Sequence, residues 1–422
     1  MFARSPVFMA IQALGQPLRS VAMENFLNNV TQVVTGKNTL MHYRPYTIAS
    51  GDVNGLRVSF SAWRMNPAGA AVNTAGYTVS NLYINDSTET VQSPLVTFGG
   101  NSTLTVNSGD NDIQSDVVLP SALGLSSFVR GSIVWVKCLI TYATSADIGG
   151  SNSMSGNWPG LTTSHLQLYH YDSAVTTPAN ITTAGRFQWT GTTPSAVTFG
   201  FSVNLLGTFV SGDPQVWFGV GDSILYGYGD AGVSGAVQRG ILNRACWDDG
   251  TAGRKLAMMN ISVTGATASA FTLDSRILYW AKYCNRALVE PGTNDFGSSG
   301  TGASVATVQG YISSIISTIK ANSSGSKVIA TKLGPRTTST DSWATEANQT
   351  YAGSGWGVGG NVSTYNSALN TLGPDSVLDF STWHGVDPLK WATGPLTTDG
   401  LHPNSSCTAS MATQCRTAMD AT

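Results

Sequence analysis

The chain has 422 residues, 41% of them hydrophobic and only 11% charged, and carries a formal net charge of -2. The length allows two domains, each with a core of its own, while a near-neutral chain without a basic stripe excludes broad electrostatic capture of nucleic acid or anionic membrane. Gly, Ser, Thr and Asn take the place of the missing charges, a composition that suits β-rich, loop-rich surfaces outside the cytoplasm or on a virion. No segment approaches the roughly 18 apolar residues of a membrane span. The five cysteines, Cys138, Cys246, Cys284, Cys407 and Cys415, form no Cys-x-x-Cys pair and no Cys/His cluster, so no metal site is expected. Burial as small apolar side chains is the expectation for most of them, with a bridge from Cys407 or Cys415 to an earlier cysteine left open.

At the N-terminus, Arg4 precedes the apolar run Pro6 to Leu14, but Gln12 interrupts it and no small-x-small cleavage site follows, so it is not read as a signal peptide. Leu18, Val21, Met23, Phe26, Leu27 and Val30 recur at three- and four-residue steps, and residues 1–43 are read as a helical arm for docking or oligomerisation. From 44 to 210 the pattern changes to short runs with two-residue alternation between Gly, Asn, Asp, Ser and Pro clusters. Leu56 to Ser61, Val79 to Ile84, Ile133 to Tyr142, Leu166 to Tyr171, Phe187 to Trp189 and Val197 to Leu205 are the predicted strands of an all-β, jelly-roll-like sandwich. Ser211 to Gln215, SGDPQ, breaks the pattern and marks a boundary.

Residues 211–422 read differently. Strand candidates Val216 to Val220, Leu256 to Val263, Ala287 to Glu290, Lys327 to Leu333 and Val377 to Thr382 alternate with helical segments such as Ser275 to Tyr283 and Val305 to Ala321. Such alternation predicts an α/β fold with a parallel sheet whose ligands sit beyond the carboxyl ends of the strands. The stretch VWFGVGDSIL, Val216 to Leu225, is a buried strand running into a tight turn that presents the hydroxyl of Ser223. Three further motifs follow: NISVTGAT with Gly265, EPGTNDF with Asn294, and TDGLHPN with Asp399 and His402. With these four blocks in this order, residues 214 to 422 resemble the SGNH hydrolase superfamily, the GDSL-type esterases.

The resemblance implies a three-layer, flavodoxin-like catalytic domain that cleaves carboxylic esters without metal or cofactor. Ser223 then matches the nucleophile, Asp399 and His402 the acid and base, and Ser223, Gly265 and Asn294 the donors of the oxyanion hole. The chemistry of the residues agrees. A serine hydroxyl attacks only when an imidazole accepts its proton, a carboxylate holds that imidazole in the right tautomer, and the developing oxyanion needs preorganised N–H donors. His384, with Asp387 three residues on, is the rival base, and His42, His165 and His170 are read as structural. Arg336, Trp343, Trp356, Trp383 and Trp391 fall in loops at the expected active face and are candidates for substrate binding, the rings by stacking on sugars. The expected function is a carbohydrate O-acetylesterase acting on a polysaccharide or cell-surface glycan, extracellular or virion-borne as in a phage tail, with oligomeric or virion partners at the N-terminal region. The alternatives are an O-acyltransferase on the same fold and an adhesive virion protein with an inactive hydrolase domain.

Overall fold

The computed structural model describes residues 16–23, 25–26, 30–33, 38–66, 71–143, 147–150, 167–171, 177–190, 203–230, 240–247 and 255–422. The described residues form two compact units, one drawn from Met1–Arg64, Val72–Val216 and Lys255–Met259, the other from Met65–Ala71, Trp217–Arg254 and Asn260–Thr422.

The first unit is antiparallel. One sheet has the strand order Arg19–Ser20, Asn204–Phe209, Val53–Phe60, Ile113–Gln114, and the other Gln167–Tyr171, Thr39–Thr47, Ile133–Tyr142, Tyr77–Asn85, Thr103–Val106. The longest pairing registers Thr39 against Thr141 and Thr47 against Ile133. Val58, Phe60 and Leu205 are fully buried on the first sheet, and Met41, Tyr43 and Trp135 pack around Phe187 on the second. Tyr43 and Trp135 stack with ring centroids 4.9 Å apart.

The regular elements among the described residues before Thr39 are short strands rather than the expected helix: Arg19–Ser20, Asn25–Phe26 and Val30–Val33. The apolar steps of this stretch are shared between β-branched Val30, Thr31 and Val33 and a pair of asparagines, residue types that lose freedom in a helix or compete for its backbone, and Val30–Val33 finds a partner in Asp147–Gly150. The apolar run 6–14, His165 and residues 197–202 lie outside the described residues.

In the second unit the strands ending in Val220, Val289, Thr331 and Leu378 stand in that order in a parallel sheet. Ile261 N and Val263 N donate to Gly219 O and Gly221 O, at 2.9 and 3.1 Å, carrying the chain beyond Asn260 alongside the strand that leads to Ser223. The helix Val305–Asn322 buries Val308, Ile312, Ile315, Ile316 and Ile319, the face that its spacing marks, and Ser304 caps it. All five cysteines are buried, and none is in a disulfide. Among the described residues no group of His, Cys, Asp and Glu could hold a metal ion, and no helix is long and apolar enough to cross a membrane.

Lys137 is an unusual core residue of the first unit. It is fully buried, and its Nζ donates to the carbonyl oxygens of Asn180, Thr183 and Gly185, each at 2.9 Å; burial lowers its pKa to about 8. Orphaned buried acceptors cost about 1–3 kcal/mol each, moderated by any water that enters. Lys137→Met is therefore expected to lower the unfolding free energy by about 2–3 kcal/mol in denaturant titration. A loss below about 0.5 kcal/mol would show that the loop 180–185 does not depend on the ammonium.

Candidate active site

The strand Val216–Val220 is buried at every position and delivers the chain to Gly221. A Cβ on Gly221 would lie 2.5 Å from Leu225 Cβ and 2.7 Å from Glu290 Oε2, so no other residue fits this turn without displacing its neighbours. Asp222 then caps the short helix Ser223–Tyr226 by accepting from Ile224 N at 2.9 Å, while its own N–H donates to Glu290 Oε2 at 3.0 Å. Ser223 is thereby held at the first position of a helix whose entry is locked by two carboxyl groups.

The partners of Ser223 come from the far end of the chain. His402 Nδ1–H donates to Asp399 Oδ2 at 2.6 Å, which leaves Nε2 to accept from Ser223 Oγ at 2.8 Å. Asp399 Oδ1 also accepts the N–H groups of Leu401 and His402, at 2.9 and 2.8 Å. Partial burial opposes its charge, but these bonds outweigh it and hold the carboxyl below its usual pKa. The adjoining Gly400 has φ 79°, and a Cβ there would lie 1.9 Å from Thr337 O. Thr337 N and the Trp391 indole both donate to Gly400 O at 3.0 Å, and Asn404 starts the helix Ser405–Asp420 directly after Pro403 by accepting from Cys407 N. The turn that carries Asp399 and His402 is thus fixed on both sides.

Gly265 lies in an exposed turn closed by Ala266 N donating to Val263 O at 3.0 Å. Asn294 links this turn to the nucleophile: its Nδ2 donates to Ala266 O at 2.9 Å and to Asp222 Oδ2 at 3.3 Å. Asp295 accepts from Ala268 N at 2.6 Å and so ties the same two loops together. Hydrogen bonds therefore join Ser223, His402 and Asp399 in a chain and tie Asn294 to Asp222, the residue before Ser223, while Gly265 neighbours the carbonyl that Asn294 grips.

The remaining candidates separate. Trp356, Trp383 and Trp391 are buried, at 0, 2 and 0% exposure, so they offer no face to a sugar and the expectation of stacking is corrected for all three. Their rings serve the frame: Trp356 donates to Gly297 O at 2.9 Å, Trp391 holds Gly400, and Trp383 packs edge-on to Trp391. Trp343, half-buried, donates to Thr337 Oγ1 at 3.0 Å and buttresses the same turn. Arg336 is half-buried with its guanidinium over Trp356, Cζ 5.8 Å from the ring centroid. In the Gly-rich run 352–360, Gly355, Trp356 and Gly357 are buried, with Gly355 N donating to Ser299 O at 3.0 Å, while Val358 is exposed. His384 meets Asp379 at 3.3 Å instead of Asp387, and Asp379 also pairs with Lys332 at 2.7 Å; among the described residues no serine is hydrogen-bonded to His384. His42 is buried, and burial lowers its pKa to about 3.

Two features were not anticipated. Tyr228, 52% exposed, lies with its ring 4.5 Å from that of His402; the motif DSILYGYG offers no periodicity that would separate it from a turn residue. Glu290 and Asp222 form a buried carboxyl pair beneath the nucleophile turn. Burial raises both pKa values, that of Glu290 well above its ordinary range with the neighbouring Asp222 adding to it, so Glu290 is the group that keeps a proton. The carboxyl-carboxylate contact is consistent only with a carboxyl donor on one side.

A fluorophosphonate probe is expected to label one serine, Ser223, and the labelling to disappear in Ser223→Ala and slow about a thousandfold or more in His402→Ala; labelling that persists in Ser223→Ala would contradict the geometry. The raised carboxyl pair sets a pH dependence as well. A folded-state pKa above the unfolded one means that the folded state binds the extra proton, so stability is fullest below the ordinary glutamate value and declines as pH rises through the folded value. Glu290→Gln is expected to flatten that decline in thermal unfolding measured across the acid-to-neutral range, and an unchanged slope would show that the pair does not share a proton.

Residues 220–406 match the profile of the GDSL-like lipase/acylhydrolase family. Among solved structures, a GDSL-like lipase from Bacteroides thetaiotaomicron shares 19% identity over 49% of this chain and 88% of its own, with a TM-score of 0.33. The lipase Lip_vut3 from a goat rumen metagenome shares 14% over 48% of this chain and 97% of its own, with a TM-score of 0.34. A Corynascus thermopiles carbohydrate esterase family 2 enzyme with a carbohydrate-binding domain shares 14% over 93% of this chain and 99% of its own, with a TM-score of 0.33. No curated protein matches the chain. The GDSL-like lipase/acylhydrolase match thus runs from Val220, at the end of the strand before Ser223, to Ser406, just past His402.

Proposed function

We propose that the chain is a serine ester hydrolase acting through an acyl-Ser223 intermediate, on O-acetyl groups of a glycan. The observation that carries this reading is the continuous hydrogen-bonded chain from Ser223 Oγ through His402 to Asp399, at 2.8 and 2.6 Å. His402 Nε2 takes the hydroxyl proton as Ser223 Oγ adds to the ester carbonyl, and Asp399 stabilises the imidazolium that forms. His402 then returns the proton to the departing alkoxide, leaving the acyl group on Ser223. Water, deprotonated by the same nitrogen, attacks the acyl carbonyl; collapse releases the acid and restores the serine.

The oxyanion of each tetrahedral intermediate would be met by the backbone N–H groups of Ser223 and Gly265 and by Asn294 Nδ2. The longer of the two Asn294 bonds, 3.3 Å to Asp222, is the one an oxyanion would replace, while the 2.9 Å bond to Ala266 O keeps the amide in place. The exposed ring of Tyr228 beside His402 supports a sugar as the alcohol portion, since an aromatic face suits the apolar face of a pyranose. The low charge and Ser/Thr/Asn-rich composition support action on glycans outside the cytoplasm, by a secreted or virion-borne protein.

Acetate release from acetylated polysaccharides and from a nitrophenyl acetate is expected with the wild type and absent with Ser223→Ala. Asn294→Ala is expected to lower kcat by about 100- to 1000-fold with little change in KM. Turnover surviving in Ser223→Ala would overturn the mechanism. Acetyl appearing on an added sugar hydroxyl, with no free acetate, would reassign the activity to acyl transfer.

A further inference from the structure

We propose that Arg336 anchors a carboxylate on the acylated sugar, so that the substrate is an O-acylated sugar acid; this rests on the esterase reading of Ser223. Arg336 follows the strand Lys327–Thr331, at the same end of the sheet as Ser223 and Asn294. Its backbone is pinned to the active turn: Arg336 O accepts from Ala352 N at 3.0 Å, and the next residue, Thr337, donates its N–H to Gly400 O at 3.0 Å, beside Asp399. Underneath the guanidinium lies Trp356, itself fixed by its bond to Gly297 O.

What distinguishes Arg336 is that this held, half-desolvated cation has its donors unused. Other arginines of the second unit are paired. Arg244 grips Asp230 through two bonds of 2.7 and 2.6 Å, Arg276 grips Asp274 at 2.7 Å, and Arg416 donates to the carbonyl oxygens of Arg244, Ala245 and Trp247. Among the described residues the Arg336 guanidinium makes neither a hydrogen bond nor an ion pair, only the ring contact. Asp222 and Asp399 are near enough to favour its charge against the desolvation that opposes it, but neither is available as a partner. Both oxygens of Asp399 are taken by His402 and Leu401, and Asp222 is taken by Ile224, Asn294 and Glu290.

A planar guanidinium with free parallel N–H groups binds a carboxylate through two charge-assisted hydrogen bonds, a geometry that neutral sugars cannot supply. Burial against Trp356 makes such a pair stronger than it would be in open solvent. With the Tyr228 ring beside His402 taking the sugar face, the site has one group for the ring, one for the acid and the serine for the acyl carbon. Uronic acids and nonulosonic acids carry the same carboxylate chemistry and differ in where the acid sits relative to the ester.

The experiment compares kcat/KM for a mono-O-acetylated methyl galacturonoside, its carboxyl methyl ester, an O-acetylated methyl sialoside and a mono-O-acetylated methyl xyloside, with nitrophenyl acetate as the general esterase readout. The wild type is expected to favour one of the free acids over the methyl ester or the xyloside by about tenfold or more, and which acid wins identifies the source of the carboxylate. Arg336→Gln is expected to bring that ratio close to one, with the loss in KM, and Arg336→Lys to retain part of it; thermal unfolding of each variant checks that the fold persists. Three results overturn the proposal: no preference for an acid in the wild type, a preference that survives Arg336→Gln, or equal losses on acidic and neutral esters in that variant, which would make Arg336 a support for the Asp399 turn. If the wild type cleaves nitrophenyl acetate but shows no acid preference, the anchor falls and the esterase stands; if it cleaves no ester, both fall.

Discussion

The 2.8 Å contact between Ser223 Oγ and His402 Nε2 is the interaction around which the second unit is arranged. It joins residues 179 apart in the sequence, and neither side chain is positioned by its own turn alone. Ser223 is set by the fully buried strand before it and by the carboxyl pair beneath it, whereas His402 is set by Asp399, by the tether of Gly400 to Thr337 and by the helix that begins after Pro403. A hydrogen bond of this kind orders the two segments that it joins, and its geometry is dictated by groups that make no contact with a substrate.

The Asp222–Glu290 pair has a second consequence. Two carboxyl groups buried together retain a proton because the doubly ionised state is too costly in a low-dielectric site. Here the retained proton allows one group to donate to the other, while Glu290 Oε2 accepts the backbone N–H of Asp222 and Asp222 Oδ1 that of Ile224. The pair satisfies donors that a tight strand-to-helix turn would otherwise leave buried and unpaired, and through Asp222 it also receives the amide of Asn294. Nucleophile and oxyanion donor share a single polar foundation.

Much of this was legible in the sequence because it depended on local pattern. The two-residue alternation of Ile133 to Tyr142 is a strand with those bounds, and the spacing of Val308, Ile312, Ile315, Ile316 and Ile319 is the buried face of a helix. The order of the Ser223, Gly265, Asn294 and Asp399/His402 motifs predicted which residues the fold would gather at one end of the sheet. The misreadings came where burial and partners decide the outcome. Trp356, Trp383 and Trp391 sit in loops by sequence, but their apolar area draws them inward, and the indole N–H groups of Trp356 and Trp391 find internal carbonyl oxygens. Residues 18–33 carry apolar residues at steps compatible with either period, and at Arg19–Ser20 and Val30–Val33 pairing with distant strands selected the extended form. Glu290 reads as the end of a strand; its function in the turn depends on Asp222, 68 residues earlier.

The account stands or falls on Ser223 carrying the acyl group during turnover. The direct measurement is mass spectrometry of protein acid-quenched in the first turnovers of a nitrophenyl acetate, followed by peptide mapping. The account predicts one acetyl group, located on Ser223, that forms before steady state and is lost as substrate is exhausted. An enzyme that turns over with no such adduct, or with the acetyl group on another residue, would contradict it.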